Sequence, residues 1–217
     1  MMMNRLYQFA WFFVLTGILA HPAASAQTAP KLDADVTPAE YEVFSSYISA
    51  EFTGKAGIDR VGDVSRIIIE NETKSDQDDD LLTDDDGRPI TWAFFTNYLL
   101  KEAPALRRDT LQAFRRIQRR SDLQRAFQLP VDYQLVAQSD VDAIFNNGGW
   151  WNDYYHKFPN SQGLMRLSRV GFSHDQRQAM FYVVNRCGGK CGTGSYVVME
   201  KRNSTWTVVK EIILWIS

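Results

Sequence analysis

The chain has 217 residues, 45% of them hydrophobic and 13% aromatic, which is enough to fill one core and too little for two domains of ordinary size. Its 24 Lys and Arg against 26 Asp and Glu leave a formal net charge of -2. That balance excludes strong bulk attraction to nucleic acid or to an anionic membrane.

The first residues stand apart from the rest. Arg5 precedes an apolar run from Leu6 to Ala20, and Ala24-Ser25-Ala26 then has the small-x-small pattern of a cleavage site, so residues 1–26 read as a secretory signal peptide. An uncleaved anchor would call for an apolar run of about 20 residues. No second stretch is long enough to span a bilayer, and the expectation is an exported chain in the periplasm or outside the cell. Residues 27–36 are Ala, Pro, Thr and Asp without an apolar period and read as a flexible leader. The fold is expected over 37–217 as one α+β domain.

Thr37-Pro38-Ala39-Glu40 is a helix start, with a hydroxyl at the cap, proline at the first helical position and glutamate three residues past the cap. Tyr41, Phe44, Ile48 and Phe52 follow at helical spacing, and Gly54 ends the run. Val64 to Glu70, with three consecutive isoleucines, reads as a buried strand. From Asn71 to Pro89 the chain is polar, with seven aspartates between Asp76 and Asp86, and an acidic solvated loop is expected over 71–89. A calcium loop anchored on Gly87 would place Leu82 and Ala93 at its first and twelfth positions, where oxygen ligands are needed, so the pattern fails.

Trp92 to Leu100 and Ala105 to Phe127 are helical in pattern. On the second, Arg108, Arg115, Arg116, Arg119 and Arg120 fall together opposite Leu111 and Phe114. This is either a solvated basic face or a site for an anionic partner, the chain's own aspartates included. Nucleic acid is disfavoured because few aromatics interleave the stripe. Tyr133 to Ala137 is a short strand, and Asp140 to Phe145 and Trp150 to Phe158 are short helices around Asn146-Asn147-Gly148-Gly149. Trp151 and Tyr155, in the most aromatic segment, suit either packing or a flat platform for a sugar or peptide.

Four strand-like runs close the chain: Leu164 to Phe172, Gln178 to Asn185, Ser195 to Lys201 and Trp206 to Ile216. Their short connections predict a four-stranded antiparallel meander packed against the N-terminal and central helices. The first run changes phase at Arg169, where a bulge would restore one apolar face. Cys187 and Cys191, in a Gly-rich hairpin of an exported chain, are expected to form a disulfide that fixes the loop, worth about 2 kcal/mol on the chain-entropy model. A thiol redox centre would more usually carry two residues between the cysteines and a following helix. Zinc lacks a set of four spaced ligands, since the only histidines after the signal peptide are His156 and His174. No metal or cofactor is implied.

Phe158-Pro159-x-Ser161-x-Gly163, Ser168-Arg169-Val170-Gly171-Phe172, Cys187-Gly188-x-x-Cys191-Gly192-x-Gly194-x-Tyr196-Val197, and the closing Trp206 and Trp215 together resemble a group of uncharacterised exported bacterial proteins. The likeness covers about the last third of the chain. It implies export, a bacterial source and a shared α+β domain, and carries over no catalytic residue.

The functional expectation is a non-catalytic module that binds a ligand or partner. Arg169, with Ser168, Trp151 and Tyr155, is the candidate ligand group, since an arginine in an apolar strand either pairs with a carboxylate or faces an anion. The alternatives are a hydrolase using His156 or His174, for which no Gly-x-Ser-x-Gly elbow exists, and a thiol-disulfide protein using Cys187 and Cys191. Two exposed histidines would favour the binding module.

Overall fold

The computed structural model describes residues 35–52, 64–74 and 92–217. Residues 1–26, read above as a signal peptide, most of the expected leader and the aspartate-rich stretch from Asp76 to Asp86, with its calcium reading, lie outside these residues. All described residues belong to one compact unit, Ala34–Ser217.

The elements in chain order are α1 (Pro38–Phe52), β1 (Arg66–Glu70), α2 (Trp92–Glu102), α3 (Arg108–Ile117), β2 (Asp132–Val136), α4 (Gln138–Asn146), α5 (Trp151–Lys157), β3 (Ser161–Leu167), β4 (Gly171–Phe172), β5 (Gln178–Gly188), β6 (Cys191–Arg202) and β7 (Thr205–Ile216). The fold is α+β, and the expected C-terminal meander is present: β5 pairs antiparallel with β3, β4 and β6, and β6 with β7. β1 then adds to β3 in parallel and β2 to β1 in parallel, making a mixed seven-stranded sheet in the order β2-β1-β3-β5-β6-β7 with β4 beside β5.

Helices cover both faces of this sheet. On one face α1 buries Tyr41, Phe44, Tyr47 and Ile48 against Ile67, Ile69, Met165, Leu167, Phe181 and Val197, with Leu123 and Phe127 from the irregular chain before β2. On the other face α2 and α3 press Phe95, Leu99, Leu111 and Phe114 onto Met180, Tyr182, Tyr196 and Val198. The pair α4 and α5 covers Ile68 and Leu164 with Val141, Tyr154 and Phe158. This explains why Ile67-Ile68-Ile69 and Ala179 to Val184 carry no polar alternation: each residue meets a core whichever way it points.

Four expectations are corrected. The expected strand over 164–172 does not bulge at Arg169; it breaks there, and Ser168 spans the gap. Its Oγ accepts from Tyr182 N–H at 2.8 Å and donates to the Arg169 carbonyl at 2.9 Å, so the central strand β5 loses no hydrogen bond. The long arginine helix ends at Ile117, not at Phe127. Gln118 turns its amide back onto the Phe114 carbonyl at 2.9 Å, and residues 121–123 instead bond with Asn71 and Thr73. Arg119 and Arg120 therefore leave the face that holds Arg108, Arg115 and Arg116. Finally, residues 71–74 are not solvated loop. Lys74 N–H donates to the Leu167 carbonyl at 2.7 Å and Thr73 N–H to Ser121 at 2.9 Å, and both side chains are buried. At the other end of the leader, Val36 is already part of the core.

Candidate functional site

Arg169 is fully buried in a closed polar network. Its Nε and Nη2 donate to Glu40 Oε1 and Oε2 at 2.8 and 2.9 Å, Nη1 to Ser121 Oγ at 2.9 Å, and Nη2 also reaches the Asp35 carbonyl at 3.4 Å. Glu40 in turn accepts from Val170 N–H at 3.0 Å and Thr37 N–H at 2.8 Å, the latter closing the capping box of α1. Burial pushes the Glu40 carboxyl up, but the Arg169 hydrogen bond, the Thr37 and Val170 amides and the guanidinium charge outweigh it and hold the group below its ordinary value. Of the two roles weighed for Arg169, the geometry is that of the carboxylate pair.

Trp151 and Tyr155 are half-buried on α5, where Trp151 packs on Phe145 and Tyr154. Tyr155 donates its hydroxyl to the Cys187 carbonyl at 3.0 Å, which ties the aromatic helix to the hairpin. Cys187 and Cys191 are joined by a disulfide, with their Cα atoms 5.0 Å apart. Beside it the exposed Trp150 lies against Gly189, where a Cβ would come within 2.9 Å of the indole. The aromatic segment and the hairpin are thus one corner of the molecule, and Arg169 is not part of it.

His156 and His174 are both exposed. His174 Nδ1 lies 3.3 Å from Asp109, and its backbone N–H donates to the same carboxylate. Nearby, Arg107, Asp175, Arg177, Gln178, Glu200, Lys201 and Arg202 line a cleft of about 350 Å³. Most of its charges stand in exposed pairs, Arg107 with Asp175 at 2.8 Å, Glu200 with Arg202 at 3.0 Å and Lys201 with Glu42 at 2.9 Å. Arg107, followed by the Ser173 hydroxyl, holds the Asp175 carboxyl far below the usual carboxylate range.

A second cleft, of about 230 Å³, is built differently. Glu70, Thr73, Lys74, Arg120, Gln138 and Arg166 line it. Glu70 is the last residue of β1, Thr73 and Lys74 continue that strand's path, Arg166 stands near the end of β3, and Gln138 opens α4. The path of β1 stays bridged to that of β3 as far as Lys74 and Ser168, so the cleft lies over the carboxyl ends of two adjacent parallel strands, beside the start of α4. That is where ligands bind in open sheets with parallel strands. Arg166 pairs with Glu70 and donates to the Gln138 side chain. Glu70, Thr73 and Lys74 are each more than nine-tenths buried, so charge is held here at low dielectric.

None of the residues singled out from the sequence lines this cleft except Arg120. Glu70 and Lys74 stood at the boundary of a strand and a supposed loop, and Arg166 within a strand; only the parallel pairing of β1 with β3 brings them together. A signal was present in the charge that ends Ile67-Ile68-Ile69-Glu70. Among the described residues no group of acidic, His or Cys side chains is arranged to hold a metal ion, and no helix is long and apolar enough to cross a membrane. The chain matches no family model, no curated protein and no solved structure.

Proposed function

We propose that the protein is an exported, non-catalytic module that binds a small polar ligand in the cleft at the carboxyl ends of β1 and β3. The observation that carries this reading is the convergence of buried Glu70 and Lys74 with the partly buried Arg166 on one cavity of about 230 Å³ at the carboxyl ends of two adjacent parallel strands. Burying so many charges costs stability unless they are used, and a surface cleft that keeps them is more readily explained by a ligand than by folding alone.

Two further observations favour a binder over a hydrolase. Both histidines are exposed and neither lines the cleft, and the cleft offers Thr73 with its hydroxyl already donated to the Arg119 carbonyl at 3.0 Å. A nucleophile would need a base within hydrogen-bond reach. The disulfide supports export, since such bonds persist in oxidising compartments.

The test is an amide NMR titration of the chain from residue 27 with four probes: inorganic phosphate, acetate, glucose and ethylammonium. A binding module shows saturable shifts at residues 70–74, 138–141 and 166 with at least one of them. Shifts confined to residues remote from the cleft, or absent with all four, would overturn the reading.

A further inference from the structure

We infer that the exposed arginine face of α3 is the docking surface for the chain's own aspartate run, residues 76–86. Arg108, Arg115 and Arg116 are exposed on the side of α3 opposite Leu111 and Phe114, with Gln112 between them. Among the described residues none of the three meets a carboxylate, and the one partner of their guanidinium groups is the Trp92 ring, its centre 5.4 Å from Arg115. The neighbouring carboxylates are already taken. Asp109 faces Arg107 and His174, Asp175 faces Arg107, and Glu102 at the end of α2 is balanced by Lys101. The dipole of α3 favours Arg115 and Arg116 in its last turn but opposes Arg108 in its first, so the helix alone does not account for the set.

The occupant is matched in charge and tethered at the right place. Residues 76–86 carry seven aspartates and no cation, and Arg88 is the single cation between them and Trp92. The chain returns to the fold at Trp92, the first residue of α2, whose ring lies against Arg115 and 6.5 Å from that of Phe114 on α3. Asp86 and Trp92 are six positions apart, a reach of at most about 20 Å. Arg108 and Arg115 are seven positions apart on the helix, about 10 Å along its axis. All three guanidinium groups therefore lie within the reach of Asp84, Asp85 and Asp86, and a short tether holds those carboxylates at an effective concentration on the order of millimolar. An arginine fork meets a carboxylate through two parallel hydrogen bonds, so three arginines suit a run of aspartates better than three point charges would. Being exposed, such pairs weaken as salt rises, and while they hold they keep the face from free polyanions.

The arginine Nε–Hε signals of the chain from residue 27 are followed by NMR in wild type and in the triple variant Asp84→Asn, Asp85→Asn, Asp86→Asn. Neutralising the run should move the signals of Arg108, Arg115 and Arg116 and leave that of Arg186, on the disulfide hairpin, in place. Raising the salt from about 20 to about 500 mM should carry the wild-type signals towards the variant's positions, because screening cuts the range of exposed charges to a few ångströms. In the reverse direction, the triple variant Arg108→Gln, Arg115→Gln, Arg116→Gln should shift the amides of residues 84–86, and since these side chains point away from the core the fold is kept. Arginine signals that coincide in wild type and the aspartate variant would overturn the proposal. A heparin hexasaccharide titrated into both proteins tells the occupants apart. Binding about tenfold weaker in wild type than in the aspartate variant is expected of a face already covered, whereas equal affinity with unmoved arginine signals assigns the face to a free polyanion and the docking falls.

Discussion

Glu40 does two things at once. It closes the capping box of α1 with Thr37, and it neutralises Arg169, 129 residues away, in the core. The sequence displays the halves separately, a capping pattern at 37–40 and an arginine out of place in an apolar strand, and nothing local joins them. A buried pair broken on one side leaves an uncompensated charge, so Arg169→Met or Glu40→Gln should each cost about 3–5 kcal/mol. The double replacement should cost less than the two singles added together, because neither group is then left alone. The pH dependence follows from the lowered Glu40 carboxyl. A group held below its ordinary value of 4.5 contributes stability that is present above that value and lost as pH falls through the lower folded one. Urea denaturation of wild type should therefore lose stability below about pH 4.5, a loss that Glu40→Gln shows to a smaller degree. Equal pH slopes for the two proteins would show that Glu40 is not the titrating group.

The run Ser168 to Phe172 shows what an element needs beyond propensity. Ser168 replaces a missing strand hydrogen bond, Arg169 pairs with Glu40, Val170 donates to the same carboxylate, and a Cβ at Gly171 would run into the backbone of Phe114 on α3. With Phe172 packed on Trp206, each residue of the motif thus has a structural role. The strands β5, β6 and β7 were legible because β-branched runs and turn residues are local signals. The end of α3 was not, because 119–123 forgo helical bonds in favour of Asn71 and Thr73, a choice no window of sequence contains. The hairpin at 187–191 was legible from its glycines and cysteines. Its bridge closes a very short loop, so Cys187→Ala with Cys191→Ala should lower stability by about 2 kcal/mol and leave the fold intact. Chemical denaturation measures the loss, and the amide spectrum of the double variant checks that changes stay near 150–155 and 185–193, where Trp150 and Tyr155 meet the hairpin. A loss several times larger would mean that the bridge holds the sheet and not just its corner.

At the scale of the whole molecule, the meander was the visible part and its context was not. Parallel neighbours β1 and β2 come from far upstream, and the cleft at the ends of β1 and β3 exists only once those long connections close. The candidate site is therefore a property of topology, with residues 70 and 74, residue 138 and residue 166 drawn from three separate stretches. The same context decides whether the C-terminal strands can stand alone. Met165, Leu167, Phe181, Val197 and Met199 look towards α1, while Met180, Tyr182, Tyr196 and Val198 look towards α2 and α3. Cut free, a fragment of residues 158–217 keeps every strand pairing of the meander and bares apolar surface on both faces, a state that antiparallel sheets tolerate on one face at most. It should aggregate, or show neither dispersed amide shifts nor a cooperative melt. Supplying α1 as a separate peptide covers only one face, so it should not rescue the fragment, whereas the chain from residue 34 to 217 should melt in a single transition by far-UV circular dichroism and by NMR. A soluble fragment with native-like shifts would mean that the helices rest on a platform already formed, and the two-faced core would lose its place as the source of the fold's stability.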